Sequence, residues 1–213
     1  NRAPAWRFLI VAATASAVHK RMNVRDPFEM LQDEHRRIER VLLALDAWAD
    51  AVQAGGDPDG GRAADLSRFV TFLRDFADAQ HHAKEEEVLF EAMSRHGFSR
   101  QTGPVAVMLA EHEQGRALVT ELADVAAREV WSEPDKNHLI RSARAFTTLL
   151  RMHIQKEDNV LYVIAQRTLP EATLAWVRTR MHEIEQAHAV AGSTQRLQLL
   201  GDQLAHRYSA SHV

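Results

Sequence analysis

Two stretches, His81-His82-Ala83-Lys84-Glu85-Glu86-Glu87-Val88-Leu89-Phe90 and His153-Ile154-Gln155-Lys156-Glu157-Asp158-Asn159-Val160-Leu161-Tyr162, align with each other without a gap. Each carries His-x-x-x-Glu followed by an apolar pair. On an α-helix, residues four apart lie one above the other on the same face, so each motif presents an imidazole and a carboxylate to one point. A second correspondence lies upstream of each, where Asp33-Glu34-His35 matches Ala110-Glu111-His112. The chain therefore reads as a duplicated two-helix unit, each half offering a lone His and an HxxxE.

Working outward, the flanking sequence is helical throughout. Glycine and proline, 9 and 6 in 213 residues, are clustered and leave long runs of Ala, Leu, Glu and Arg between them. A first helix is predicted from Asp26-Pro27, with Asp26 as N-cap and Pro27 at the first helical position, to just before Gly55-Gly56-Asp57-Pro58. The second runs from Arg62 to Arg95 and ends at Gly97, the third opens at Gly103-Pro104 and continues to Arg128, and the fourth runs from Ser132-Glu133-Pro134 to Gln166. Two shorter helices follow from Glu171 to Tyr208, divided near Gly192-Ser193. The stripe of Phe28, Leu31, Ile38, Leu42, Leu45 and Ala49 is interrupted only by His35. That of Val105, Met108, Val119, Leu122 and Ala126 holds His112 and Gly115, and that of Phe146, Leu149, Leu150, Val160, Leu161 and Ile164 holds His153 and Glu157. The expected fold is all-α: an up-down antiparallel four-helix bundle over residues 26–169, preceded by an N-terminal helical extension (1–25) and followed by C-terminal helices packed on the bundle (170–213).

The ligands fall at one height. From His35 to Gln53 is about 18 residues, or ~27 Å of helix, and from Arg62 to His81 about 19, or ~28 Å, and the second hairpin behaves alike. Four imidazoles and two carboxylates in an apolar core are costly uncompensated, since each unpaired buried ion costs several kcal/mol. Metal supplies the compensation. Nitrogen and oxygen donors without thiolate suit iron, manganese or zinc, six groups exceed one tetrahedral zinc, and two ions bridged by both carboxylates use all six. Ferritin-like di-metal bundles instead use a pair of ExxH motifs with additional Glu ligands, and that pattern is absent from the four predicted bundle helices. His82 with Glu86 is a competing register, but the gapless match to the fourth helix selects His81 and Glu85. His82 is then expected beside the centre or in solvent, with ligation as an additional candidate role. Glu39, four residues after His35, is a further candidate ligand, its alternatives being a surface Glu or a partner for Arg116. Tyr162 reads as packing or as a proton donor, and the remainder of the Glu85-Glu86-Glu87 run as a solvated face.

These motifs resemble the hemerythrin-like, or HHE cation-binding, family over Asp26 to Leu169, and the family order His, HxxxE, His, HxxxE is matched at every position. The resemblance implies metal ligands His35, His81, Glu85, His112, His153 and Glu157 around a non-haem di-iron centre, two Fe ions with an oxo or hydroxo bridge. It implies binding of, or reaction with, a small diatomic or peroxidic ligand such as O2, H2O2 or NO. The alternatives are a non-catalytic module for iron sensing, storage or transfer, and a structural bundle holding zinc. Oxygen-carrying members resemble HxxxH in the third helix, whereas Arg116 stands four residues after His112 here. Fewer imidazoles leave each metal more open to exogenous ligands, which favours redox reactivity or sensing over carriage.

Composition narrows the remaining classes. Lys+Arg 26 against Asp+Glu 29 gives a net charge of −3, with no basic stripe interleaved with aromatics, so nucleic acid is not an expected partner. Cys is absent, which removes thiolate sites and cysteine nucleophiles, while His reaches 12. Phe8 to Val18 is apolar, but about 11 residues falls short of the roughly 20 that span a bilayer. An N-terminal helix packing on the bundle or on a second chain is expected there, in preference to a signal peptide ending at Ala15-Ser16-Ala17 or a membrane-surface anchor. No transmembrane span, a cytoplasmic location and a homodimer formed through the terminal helices complete the reading.

Overall fold

A computed structural model describes residues 25–55 and 61–209. The expected N-terminal helix lies outside them. Among the described residues there are six helices and no strand: α1 (Pro27–Gln53), α2 (62–95), α3 (Gly103–Ala126), α4 (133–168), α5 (Glu171–Val190) and α6 (Ser193–Ser209). No described helix is long and apolar enough to cross a membrane.

The helix ends follow the local chemistry. Asp26 Oδ1 accepts from the amides of Phe28 and Glu29 at 2.9 and 3.2 Å, satisfying two of the donors that a helix start leaves open. Ser132 and Asp135 form a reciprocal capping box at the start of α4. After α2 the backbone turns at Gly97 with φ 94°, a left-handed conformation that costs a Cβ-bearing residue 1 kcal/mol or more, by a rough estimate.

Two helices depart from a uniform α geometry. In α2 the turns Leu73–His82 and Glu85–Leu89 are π-helical, and in α4 the turn Glu157–Leu161 is. Widening a turn by one residue moves the inward position one place along the chain. Val160, expected on the apolar stripe, is accordingly 49% exposed, while Leu161 keeps its expected buried place and Tyr162 is buried beside it.

The helices pack in register around two apolar clusters. Along α1 and α4, Arg36 meets Asp158, Asp46 meets Thr147 and Asp50 meets Arg144, so rising numbers on one helix face falling numbers on the other. Glu111 with Lys156 and Glu121 with Ser142 repeat this between α3 and α4. One cluster gathers Leu42, Leu45, Trp48, Phe69, Phe72, Phe76, Leu122 and Phe146 and is covered by Leu197, Leu204 and Tyr208 of α6. The other gathers Phe28, Leu31, Leu89, Phe90, Met108 and Tyr162 and is covered by Val177 and Met181 of α5. The expected ligands come from the stretches of α1 to α4 where one cluster gives way to the other. Buried side chains of this size contribute roughly 1.5 to 3 kcal/mol each, and this packing holds the polar layer in place. α6 lies so close to α2 that a Cβ on Gly201 would stand 2.6 Å from Phe72 Cε2.

Candidate metal centre

His35, His81, Glu85 and Glu157 form one group of donor atoms, and His82, Glu85, His112 and His153 form another, the atoms within each lying within 4.8 Å of one another. All are buried. Glu85 is common to both groups: its Oε2 is 3.5 Å from His81 Nε2 and 3.6 Å from His112 Nε2. Glu157 also reaches both sides, at 3.3 Å from His35 Nε2, 3.1 Å from His153 Nε2 and 4.0 Å from His112 Nε2.

The proton positions follow from what lies behind each ring. Nδ1 of His35 donates to Asp158 (2.8 Å), of His81 to Glu34 (2.9 Å), of His82 to Asp78 (3.3 Å), of His112 to Glu86 (2.7 Å) and of His153 to Glu111 (2.9 Å). An ionised carboxylate only accepts, so each neutral ring carries its proton on Nδ1 and its lone pair on Nε2. Outer carboxylates of this kind are how proteins orient metal-binding imidazoles. Inside the ring of histidines, Glu85 Oε2 and both Glu157 oxygens have no hydrogen-bond donor. The Nε2 atoms of His112 and His153 face each other at 3.0 Å. Lone pairs and carboxylate oxygens converging on one small volume repel unless a cation lies between them, and the donor set is one that divalent transition metals accept. The residues fit a metal.

The titration behaviour has the same origin. Burial lowers the His35 imidazolium, but Asp158 and Glu157 outweigh it and raise the group to about 9. Burial pushes His81 and His82 well below the ordinary imidazole value. Burial, together with the Glu157 charge, drives Glu85 well up, whereas His153 and His35 overcome burial and hold Glu157 well down. Protons on these groups and metal ions compete for the same lone pairs.

The outer shell has its own pairing. Lys84 bonds Glu34 and Lys156 bonds Glu111, equivalent positions of the duplicated unit. Arg116 donates from Nε to Asp78 at 2.9 Å and from Nη2 to Glu86 at 2.6 Å, and the bonds from His112 and then Arg116 outweigh burial and hold Glu86 down to about 2. A cavity of about 310 Å³ opens between α2, α3 and α4, lined by Ala77, Val119 and Phe146 with His82, Asp78 and Arg116 at its polar end.

A family model described as Hemerythrin HHE cation binding domain matches residues 26–165. The chain belongs to the hemerythrin HHE cation-binding family. It is also similar to two curated relatives named iron-sulfur cluster repair protein YtfE. It is 33% identical to the protein from Yersinia pseudotuberculosis serotype IB over 110 residues, which is 50% of this chain and 48% of that protein. It is 31% identical to the one from Salmonella typhimurium over 102 residues, 46% of this chain and 45% of that protein. The chain spans about half the length of the curated relatives it matches.

Within this HHE chain the structure brings together all six residues that the duplicated motif singles out, and sorts the others. Glu39 is outside the centre and pairs with Arg36 at 3.2 Å instead of with Arg116. His82, expected beside the centre or in solvent, is buried and stands among the donors of the second group. Glu86 is no solvated residue, because its carboxylate orients His112, while Glu87 is exposed. Tyr162 does more than pack: its hydroxyl donates to Glu85 Oε1 and lies 3.4 Å from His35 Nε2. The orienting partners Glu34, Asp78, Glu86, Glu111 and Asp158 were not foreseen as such. The signal available for four of them was position, since Glu34, Glu111, Glu86 and Asp158 each neighbour a ligand candidate and occur in equivalent pairs.

Proposed function

We propose that the chain is an up-down four-helix hemerythrin-like protein that holds two iron ions between His35, His81, Glu85, His112, His153 and Glu157 and reacts with a small oxidant, O2, H2O2 or NO. One observation carries the reading: every imidazole is anchored at Nδ1 by a carboxylate and turns Nε2 toward three carboxylate oxygens that no protein group satisfies. Two bound ions would supply Lewis acidity and electrons to an incoming ligand. The protein's own contribution is positional. Glu85 and Glu157 would bridge, the paired outer carboxylates hold the rings, and Tyr162 holds a proton at Glu85 Oε1, within reach of a group gaining negative charge. The apolar clusters on either side limit water at the centre.

A second reading is favoured by the relatives' printed names. Iron held for transfer to a damaged cluster needs the same ligands but no turnover, and it predicts release of iron to an acceptor. The cytoplasm, where iron–sulfur proteins are assembled, suits either role.

Metal analysis of the purified or anaerobically ferrous-loaded protein tests the proposal. About two irons per chain are expected, with much less in Glu85→Ala and Glu157→Ala. Unchanged metal content in both variants rejects the ligand set, and zinc alone rejects the redox reading. Given two irons, repeated consumption of added peroxide supports the oxidant reading, and release of iron without turnover supports the transfer reading.

A further inference from the structure

The alignment that pairs His35 with His112 and His81 with His153 also pairs Met30 with Val107, Lys84 with Lys156 and Val88 with Val160. In the first half these positions are shut off from water: Met30 is 1% exposed, Val88 2% and the Lys84 side chain 2%. In the second half Val107 is 46% exposed, Val160 49% and the Lys156 side chain 39%. The difference is made by α5. Its Val177 and Met181, four residues apart and fully buried, join the apolar cluster that holds Met30 and Val88. Glu185, four residues further along the same face, stands 3.8 Å from the Lys84 ammonium. Among the described residues no helix covers the equivalent place over α3 and α4. An apolar groove of about 140 Å³ is left there, with Met108 and Leu161 as its floor, Val107 and Val160 as its walls and Lys156 at its edge.

We propose that this groove seats an amphipathic helix of another protein whose contact face is built as that of α5 is. Two apolar side chains four residues apart fill the space between Val107 and Val160, and a carboxylate one turn further on meets Lys156. Apolar anchors at this spacing, laid into a groove, are a recurring mode of helix recognition. Charge favours the carboxylate. An ammonium has three protons to donate, and Lys84 faces both Glu34 and Glu185, whereas Lys156 reaches only Glu111 among the described carboxylates. The α5 of a second copy is not free to serve, because Val177 and Met181 are already buried in the first seat and lifting them would uncover Met30 and Val88. A partner seated in the groove lies against the Lys156–Glu111 pair, one hydrogen bond away from His153.

A synthetic peptide with the sequence of α5, Glu171 to Val190, serves as the probe for the full chain, with methyl NMR signals as the readout. Saturable shifts of the Val107 and Val160 signals at one peptide per chain are expected. Substituting Val107→Asp and Val160→Asp together, both at exposed positions, should weaken binding by about tenfold or more, and so should Glu185→Lys in the peptide. No shifts, undiminished binding by these variants, or shifts confined to Met30 and Val88 as the peptide displaces the chain's own α5, overturn the proposal. The free chain gives an independent test. A soluble paramagnetic agent should broaden the Val107 and Val160 signals before any peptide is added. Protection at every protein concentration would assign the groove to residues 1–24 of the same chain, and protection that grows with concentration would assign it to a second copy. Either result overturns the proposal.

Discussion

Glu34 and Glu111 do the same work in the two halves of the chain. Each accepts from the Nδ1 of a histidine on a neighbouring helix and is clamped by a lysine three residues beyond that histidine, Lys84 or Lys156. Neither carboxylate points at the centre. Glu34→Gln and Glu111→Gln should therefore keep the fold and lower metal affinity by about 10- to 100-fold each, because an amide can turn its NH2 to the ring and favour the wrong tautomer. Competition with a chromophoric chelator measures this, and wild-type affinity in both variants would mean that burial alone orients the rings. At this scale the innermost residues were legible and their supports were not. His35, His81, Glu85, His112, His153 and Glu157 stand out because a duplicated pattern repeats them on apolar stripes. His82 is ranked lower by the same criterion, having no repeat, and stays an additional candidate. The outer carboxylates depend on partners 26 to 123 residues away, apart from Asp78 four residues before His82, and spacing along one helix does not reveal them.

Helix boundaries were readable because they obey local chemistry: Asp26 and Ser132 cap, Pro27, Pro104 and Pro134 begin, and Gly97 and Gly192 terminate. The π-helical turns were not readable. A periodicity argument assumes one pitch, and these turns fall on the ligand motifs themselves, where it changes. That is why Val160, expected inside, is exposed while the neighbouring Leu161 and Tyr162 are buried. The helix α6 offers a separate test of how the accessory elements dock. Tyr208 donates to Asp65 Oδ2 at 2.7 Å, and Asp65 also accepts from Arg68 and Arg207. Burial and the bond to Asp65 raise the phenol from 10.0 to about 12. A proton held more tightly in the folded state stabilises it fully below about pH 10, and this contribution disappears as pH rises through about 12. Tyr208→Phe should cost about 1 kcal/mol near neutrality, and the gap from wild type should close across that alkaline window. Urea midpoints of the two proteins at several pH values report it, and a gap independent of pH would show that the ring's packing, and not its hydroxyl, fastens α6.

At the level of the molecule, the chain encloses a polar layer between two apolar clusters. The layer's lone pairs are compensated by cations that bind the folded chain and have far fewer organised ligands in the unfolded one. Loading at about 100 times the dissociation constant contributes about 2.7 kcal/mol, which raises the melting temperature of a chain this long by roughly 5 to 10 °C. Calorimetry with and without a strong chelator should show that interval. A chelated protein melting at the loaded temperature would mean that protons stabilise the layer as well as metal does.

The duplication has one further consequence. If two separate, identical hairpins had to meet across a symmetry axis, any substitution in one would appear in the other, and a histidine at position 82 would bring a second at the place of Ile154. Joining the halves in one polypeptide removes that obligation. Each side of the centre can diverge alone, as His82 and Ile154 already do.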